Sequence, residues 1–203
     1  MNLTAITDYE EVQVKHFLDS LTVTLALRQS IASNNARVID VGSGAGIPGL
    51  PLKILFPKMS LMLLESTAKK AIFLNHIKQK LELDDVEVVV GRAEEVAHLS
   101  EYRERFDIVL SRAVASLPTL VELALPFCTI GGSFVAQKKG NIDLEISRAA
   151  KAINTMGGSL REVKRVELEE FTDARQLVII DKVSLTPLQY PRRPGIPAKR
   201  PLM

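Results

Sequence analysis

Cysteine, histidine and tryptophan are scarce in this chain, and each shortage narrows what it can be. Of 203 residues, one is cysteine, three are histidine and none is tryptophan. Cys128 alone cannot close an internal disulfide, so a reducing, cytoplasmic home is expected. His16, His76 and His98 show no ligand spacing, and no metal is expected. No apolar run approaches the ~18 residues that span a bilayer, and no secretory signal is read, so no membrane partner is expected. Charge of one sign is not in excess either. The 26 Lys and Arg against 24 Asp and Glu leave a formal net charge of +2, too little for bulk electrostatics to select a partner. There is no internal repeat and no long low-complexity segment.

What is present is an ample core and a regular alternation. Hydrophobic residues make up 46% of the chain, and a chain of this length buries about 70% of its unfolded surface as one domain. A monomer is expected. Three parts are marked out: a helical segment over 1–33, an α/β domain over 34–184 and a basic, proline-rich tail over 185–203. In the first part Val14, Phe17, Leu18, Leu21 and Leu25 fall at helical spacing. Strands are predicted over Arg37–Val41, Ser60–Leu64, Val86–Val90, Phe106–Leu110, Ser133–Gln137, Arg161–Leu168 and Gln176–Val183. Helices are predicted between them over Pro48–Phe56, Ala68–Leu81, Leu117–Phe127 and Ile142–Met156, with Pro48 and Pro118 placed in first turns. Such alternation implies a parallel sheet with helices on both faces. The loop between the last two strands has no room for a crossover helix, so those two run antiparallel.

The chemistry concentrates at the end of the first strand. Val38-Ile39-Asp40-Val41-Gly42-Ser43-Gly44-Ala45-Gly46 is a strand running into a glycine loop, and ligands of open α/β sheets bind at such carboxyl ends. Gly42, Gly44 and Gly46 permit backbone conformations closed to other residues and let a ligand lie against bare backbone. The following helix start offers N–H groups to a carboxylate, and Asp40 can take an ammonium, directly or through water. Glu65 ends the second strand, where an acid accepts hydrogen bonds from both ribose hydroxyls; pairing with Lys69 is its alternative. Ser66 and Thr67 follow as helix caps. Ala93 and Glu94 come just after the third strand, at an adenine's position. Together these predict a site for S-adenosyl-L-methionine in an α/β, Rossmann-like class I methyltransferase fold: a mostly parallel seven-stranded sheet, helices on both faces, an antiparallel C-terminal strand. Gly44-Ala45-Gly46-Ile47-Pro48-Gly49 also satisfies G-x-G-x-x-G, so an NAD(P)-dependent oxidoreductase stays open. Asp40 in a place usually apolar in dehydrogenases and the lack of a second βαβαβ half weigh against it. A methyltransferase of another substrate and a non-catalytic RNA-binding module stay open too.

Along nearly its whole length the sequence resembles the RsmG (GidB) family, the bacterial guanine-N7 methyltransferases of 16S ribosomal RNA. The resemblance rests on Asn2-Leu3-Thr4-Ala5-Ile6, His16-Phe17-Leu18-Asp19-Ser20, the glycine loop with Pro48-Gly49-Leu50-Pro51, Arg92-Ala93-Glu94, Ser111-Arg112-Ala113-Val114-Ala115 and Tyr190-Pro191-Arg192-Arg193-Pro194-Gly195. It implies that Gly42 and Ile47 line the methionine part of the cofactor, that Glu65 to Thr67 meet the ribose, that Ala93 and Glu94 flank adenine, and that Arg112 is the cofactor-site arginine. It implies the small ribosomal subunit as partner. Lys139 departs from the pattern, which often has Gly there.

The residues agree with N7 chemistry. Cys128, read as late in a helix, is a poor pyrimidine nucleophile and a better buried hydrophobe. Ser111-Arg112-Ala113-Val114 stands where amino-methylating enzymes often carry an Asn/Asp-Pro-Pro-aromatic run. Guanine N7 already has a lone pair and needs no general base. Lys138 and Lys139 at the fifth strand, with Arg192, Arg193, Lys199 and Arg200 in the tail, are the candidate RNA contacts; such cations position phosphates without reading sequence. Pro191, Pro194, Pro197 and Pro201 favour an extended arm, with a solvated tail as the alternative.

Overall fold

A computed structural model describes residues 6, 8–27, 35–112 and 115–203. Asn2 to Ala5, Asn34, Ala113 and Val114 therefore lie outside the described residues. Seven strands form one sheet: β1 (Arg37–Val41), β2 (Ser60–Glu65), β3 (Val86–Val90), β4 (Phe106–Ser111), β5 (Cys128–Lys139), β6 (Gly158–Val166) and β7 (Arg175–Lys182). Their order is β3-β2-β1-β4-β5-β7-β6. All neighbours pair parallel except β7, which runs antiparallel to both β5 and β6. The order reverses between β1 and β4, and that switch point opens a crevice at their carboxyl ends.

Side-chain alternation along the strands divides the core in two. Ile39, Met62, Val109 and Phe134 face one layer with Leu120, Val121, Ala149 and Ile153. Val38, Leu61, Leu63, Ile108 and Val135 face the other with Val23, Leu50 and Leu74. The first layer draws on helices over Leu117–Ala124 and Asp143–Thr155; the second draws on those over Gly49–Leu55 and Ala68–Lys80 and on the N-terminal segment. In chain order the helices are α1 (Tyr9–Val12), α2 (Asp19–Leu21), α3 (Gly49–Leu55), α4 (Ala68–Lys80), α5 (Ala93–Val96), α6 (Leu117–Ala124), α7 (Asp143–Thr155) and α8 (Ile196–Lys199).

Three expectations are corrected. First, the N-terminal segment is not one amphipathic helix. A π-helical stretch over Gln13–Leu18 separates α1 from α2, and a 3-10 turn over Thr22–Ala26 follows. The wider π turn rotates the buried face. Phe17 and Leu25 are about half exposed, while His16, Asp19, Ser20 and Thr22 are buried. Second, Cys128 opens β5 rather than ending a helix. Gly131, at φ +86°, lies inside that strand, where a bulge shifts the register to β4. Burial pushes the Cys128 thiol up to about 12, so it is an un-ionised core residue at neutral pH. Third, the tail is not an extended arm. It folds back on the domain, carries α8 and buries Pro197.

Candidate cofactor and substrate site

The loop after β1 is built by its own backbone. Gly42 and Ser43 both donate to the Leu64 carbonyl, at 2.9 and 3.1 Å, which ties the loop to β2. Ser111 Oγ donates to the Val41 carbonyl at 3.0 Å and ties it to β4. The glycines divide the work. Gly42, at φ +76°, has nothing within 4 Å of where a Cβ would stand, so its face is open to a ligand. At Gly46, φ +85°, a Cβ would stand 2.3 Å from Leu50 Cδ1, so that glycine lets the loop close onto α3.

Asp40 is wholly buried at the end of β1. Its Oδ2 accepts from the Gly49 N–H at 3.0 Å, so the helix start expected to be free for a ligand already serves this carboxylate. Among the described residues its Oδ1 has no hydrogen-bond partner. Burial raises Asp40 from 3.8 to about 7, against the opposing pull of the Gly49 bond and the Arg112 charge. A buried acceptor left open is costly unless a donor arrives, and an ammonium, direct or through water, is such a donor. A folded-state value above the unfolded one means that folding favours the protonated acid, so Asp40 takes stability away as pH rises from about 4 to about 7. Asp40→Asn is therefore expected to gain on the wild type across that interval, reaching roughly 2–4 kcal/mol by pH 8, while binding cofactor more weakly. Urea unfolding at pH 4.5 and 8 checks it; a difference independent of pH would contradict it.

Glu65, 4% exposed, faces the same loop. Its Oε2 accepts from Gly44 N–H at 2.9 Å and its Oε1 from Thr67 N–H at 2.8 Å. It pairs with loop backbone rather than with Lys69; Oε1 also takes the Ser66 hydroxyl, and Oε2 keeps a lone pair for a ligand hydroxyl. Thr67 stands at the N-cap of α4 without a capping side-chain bond, and Ser66 Oγ turns to Glu65 instead. Ala93 opens α5. Glu94 Oε1 accepts from Gly195 N–H at 3.0 Å, which joins this edge of the site to the C-terminal segment.

A cleft of about 830 Å³ opens past the ends of β4 and β5, lined among others by Lys15, His16, Arg112, Lys138, Lys139 and Arg148. Lys138 donates to Glu145 and to the Ala115 carbonyl, at 2.9 and 3.0 Å. Lys139 is the last residue of β5, paired in register with Arg175, and its ammonium lies 3.5 Å from Asp173. The expected RNA contacts are thus split. Lys138 and Lys139 line the cleft. Arg192 does not line it; its guanidinium grips the buried Glu122 at 2.6 and 2.9 Å, and its Nη2 also donates to the Arg200 carbonyl. Arg193, Lys199 and Arg200 are exposed on the folded-back segment. Missed by the sequence reading are Arg148 and Arg175 in the cleft wall, and Glu122. The last had a signal, since Leu117 to Phe127 is apolar apart from Thr119 and that one acid, and a buried acid calls for a cation.

A sheet of this order, with an open glycine loop on its first strand and an acid at the end of its second, defines a Rossmann-like methyltransferase. Fold likeness agrees. An S-adenosylmethionine-dependent O-methyltransferase from Thermotoga maritima superimposes with a TM-score of 0.60 at 14% identity, covering 84% of this chain and 66% of that one. The chain belongs to the GidB family, rRNA small subunit methyltransferase G, whose model matches residues 1–178. The ribosomal RNA small subunit methyltransferase G of Dehalococcoides mccartyi is 54% identical over all of this chain and 85% of its own length. That of Roseiflexus castenholzii is 51% identical over the same shares. The family uses S-adenosylmethionine.

Proposed function

We propose that this chain transfers the methyl group of S-adenosylmethionine to N7 of a guanine in the 16S RNA of the small ribosomal subunit. The observation that carries it is the adjacency of two sites: an open glycine loop edged by Asp40 and Glu65, and a cationic cleft beyond β4 and β5. The donor supplies a methyl on a sulfonium centre, ready for in-line displacement. The residues supply placement. Gly42 offers bare backbone to the methionine part, Asp40 Oδ1 an acceptor to the ammonium, and Glu65 the remaining lone pair of Oε2 to the ribose. Ala93 and Glu94 border the adenine, and Arg112 stands between loop and cleft. Alignment of this kind supplies several kcal/mol of the barrier.

The cleft suits a nucleophile that arrives with its own lone pair. Its two acids among the described residues, Asp19 and Glu145, are both held by cations, so neither stands ready as a base, and N7 of guanine needs none. Lys138 and Lys139, with Arg193, Lys199 and Arg200 farther out, meet phosphate. Activity on small subunits places the enzyme in the cytoplasm. Incubation of the full chain with methyl-labelled cofactor, unmodified small subunits and, separately, large subunits tests this. Label confined to 16S RNA is expected; label in large-subunit RNA, in protein or nowhere would reject it.

A further inference from the structure

Arg112 is the cation between the loop and the cleft: its charge acts on Asp40 on one side, and it lines the cleft on the other. It is not free to swing. Nη1 donates to Asp19 Oδ2 and to the Lys15 carbonyl, both at 3.1 Å, and Nη2 lies 3.3 Å from His16 Nδ1. Burial, helped by the Arg112 charge, lowers the pKa of that histidine, so Arg112 faces a neutral ring rather than a second cation. Among the described residues nothing engages Nε, which remains for a ligand.

Asp19 holds this arrangement. It is 3% exposed, and its Oδ2 also lies 3.0 Å from Arg175 Nη1. Its own backbone is fixed, because Gln137 Nε2 and Thr22 Oγ1 both donate to the Asp19 carbonyl, at 2.7 and 2.6 Å. One carboxylate oxygen thus serves two guanidiniums. Arg175 has a second acid, Asp173, at 2.6 Å from its Nε. Among the described residues Arg112 is ion-paired with Asp19 alone, and it shares that carboxylate with Arg175.

We propose that Asp19 is a positioning residue. It orients the Arg112 guanidinium for an anionic group of the bound ligand, and Arg175 keeps Asp19 in place. This rests on the cofactor reading above. A free arginine loses much rotamer freedom when it meets an anion; one already fixed loses less, and affinity rises by that difference. The anion that meets Arg112 from the loop side is the carboxylate of the methionine part.

Calorimetric titration of the full chain with S-adenosylhomocysteine, which keeps that carboxylate, tests the proposal. Asp19→Asn is expected to weaken binding about tenfold, Arg112→Ala to weaken it more, and Asp19→Asn to add nothing in the Arg112→Ala background. Binding by Asp19→Asn within twofold of wild type, or equal weakening in both backgrounds, would overturn it. Should Asp19→Asn fail to fold, Arg112→Lys decides: the compact ammonium cannot hold Asp19, Lys15 and the ligand together, so a similar tenfold loss is expected and wild-type affinity would overturn it. A wild-type chain that takes up no S-adenosylhomocysteine would reject the cofactor reading itself, whereas tight wild-type binding with unaffected variants rejects only the role of Asp19.

Discussion

Arg192→Ala is expected to destabilise the fold by about 3–5 kcal/mol, because it strands a wholly buried carboxylate. Glu122 is 0% exposed on α6, and among the described residues its cation is Arg192, whose Nε, Nη2 and backbone N–H all reach it within 2.9 Å. The bond fastens the whole C-terminal segment. Around it Arg103 donates to the carbonyls of Thr186, Pro187 and Tyr190, Thr119 Oγ1 to that of Pro197, and Gly195 N–H to Glu94. Replacing both partners by leucine is expected to restore most of the loss, since a buried pair exchanged for apolar side chains is often near neutral. Urea unfolding of Arg192→Ala, Glu122→Ala and the double leucine variant checks this. A loss under 1 kcal/mol in Arg192→Ala, with RNA affinity falling instead, would return Arg192 to the role of a phosphate contact.

Glu65→Ala is expected to weaken S-adenosylmethionine binding at least a hundredfold while the protein stays folded. The carboxylate has two duties. It fixes the loop through the Gly44 and Thr67 N–H groups, and it offers the free lone pair of Oε2 to the ribose. Each hydrogen bond to a charged group contributes about 1.5–3 kcal/mol, and one such bond together with loop order reaches that factor. Glu65→Gln is expected to fall between, since its amide must turn one N–H toward a backbone N–H. Calorimetry on both variants measures it; affinity within threefold of wild type in Glu65→Ala would remove Glu65 from the site.

The fold and the cofactor half of the site were legible because local rules determine them. Alternating apolar stretches of five or six residues punctuated by glycine and proline suffice for β1 to β4, and the glycine loop declares its place by following Asp40. What was illegible depends on distant partners. That the N-terminal segment buries His16 and Asp19 rather than Phe17 and Leu25 follows from Arg112 and Arg175, which lie about a hundred residues or more farther along the chain. That the basic tail folds back follows from Glu122 in α6. A run of arginines and prolines reads as an arm until the acid that captures it is found. The cleft is assembled from the N-terminal segment, the ends of β4, β5 and β7, α7 and the C-terminal residues, and no local pattern announces such a convergence.

The most direct test of the central claim is to locate the methyl group. Small subunits lacking the modification are treated with the chain and S-adenosylmethionine, and the 16S RNA is then reduced and cleaved with aniline, which breaks the strand only at N7-methylated guanine. One new cleavage, dependent on both protein and cofactor and lost in Glu65→Ala, is the predicted result. Methyl incorporation without strand cleavage would place the group on another atom and contradict the N7 assignment.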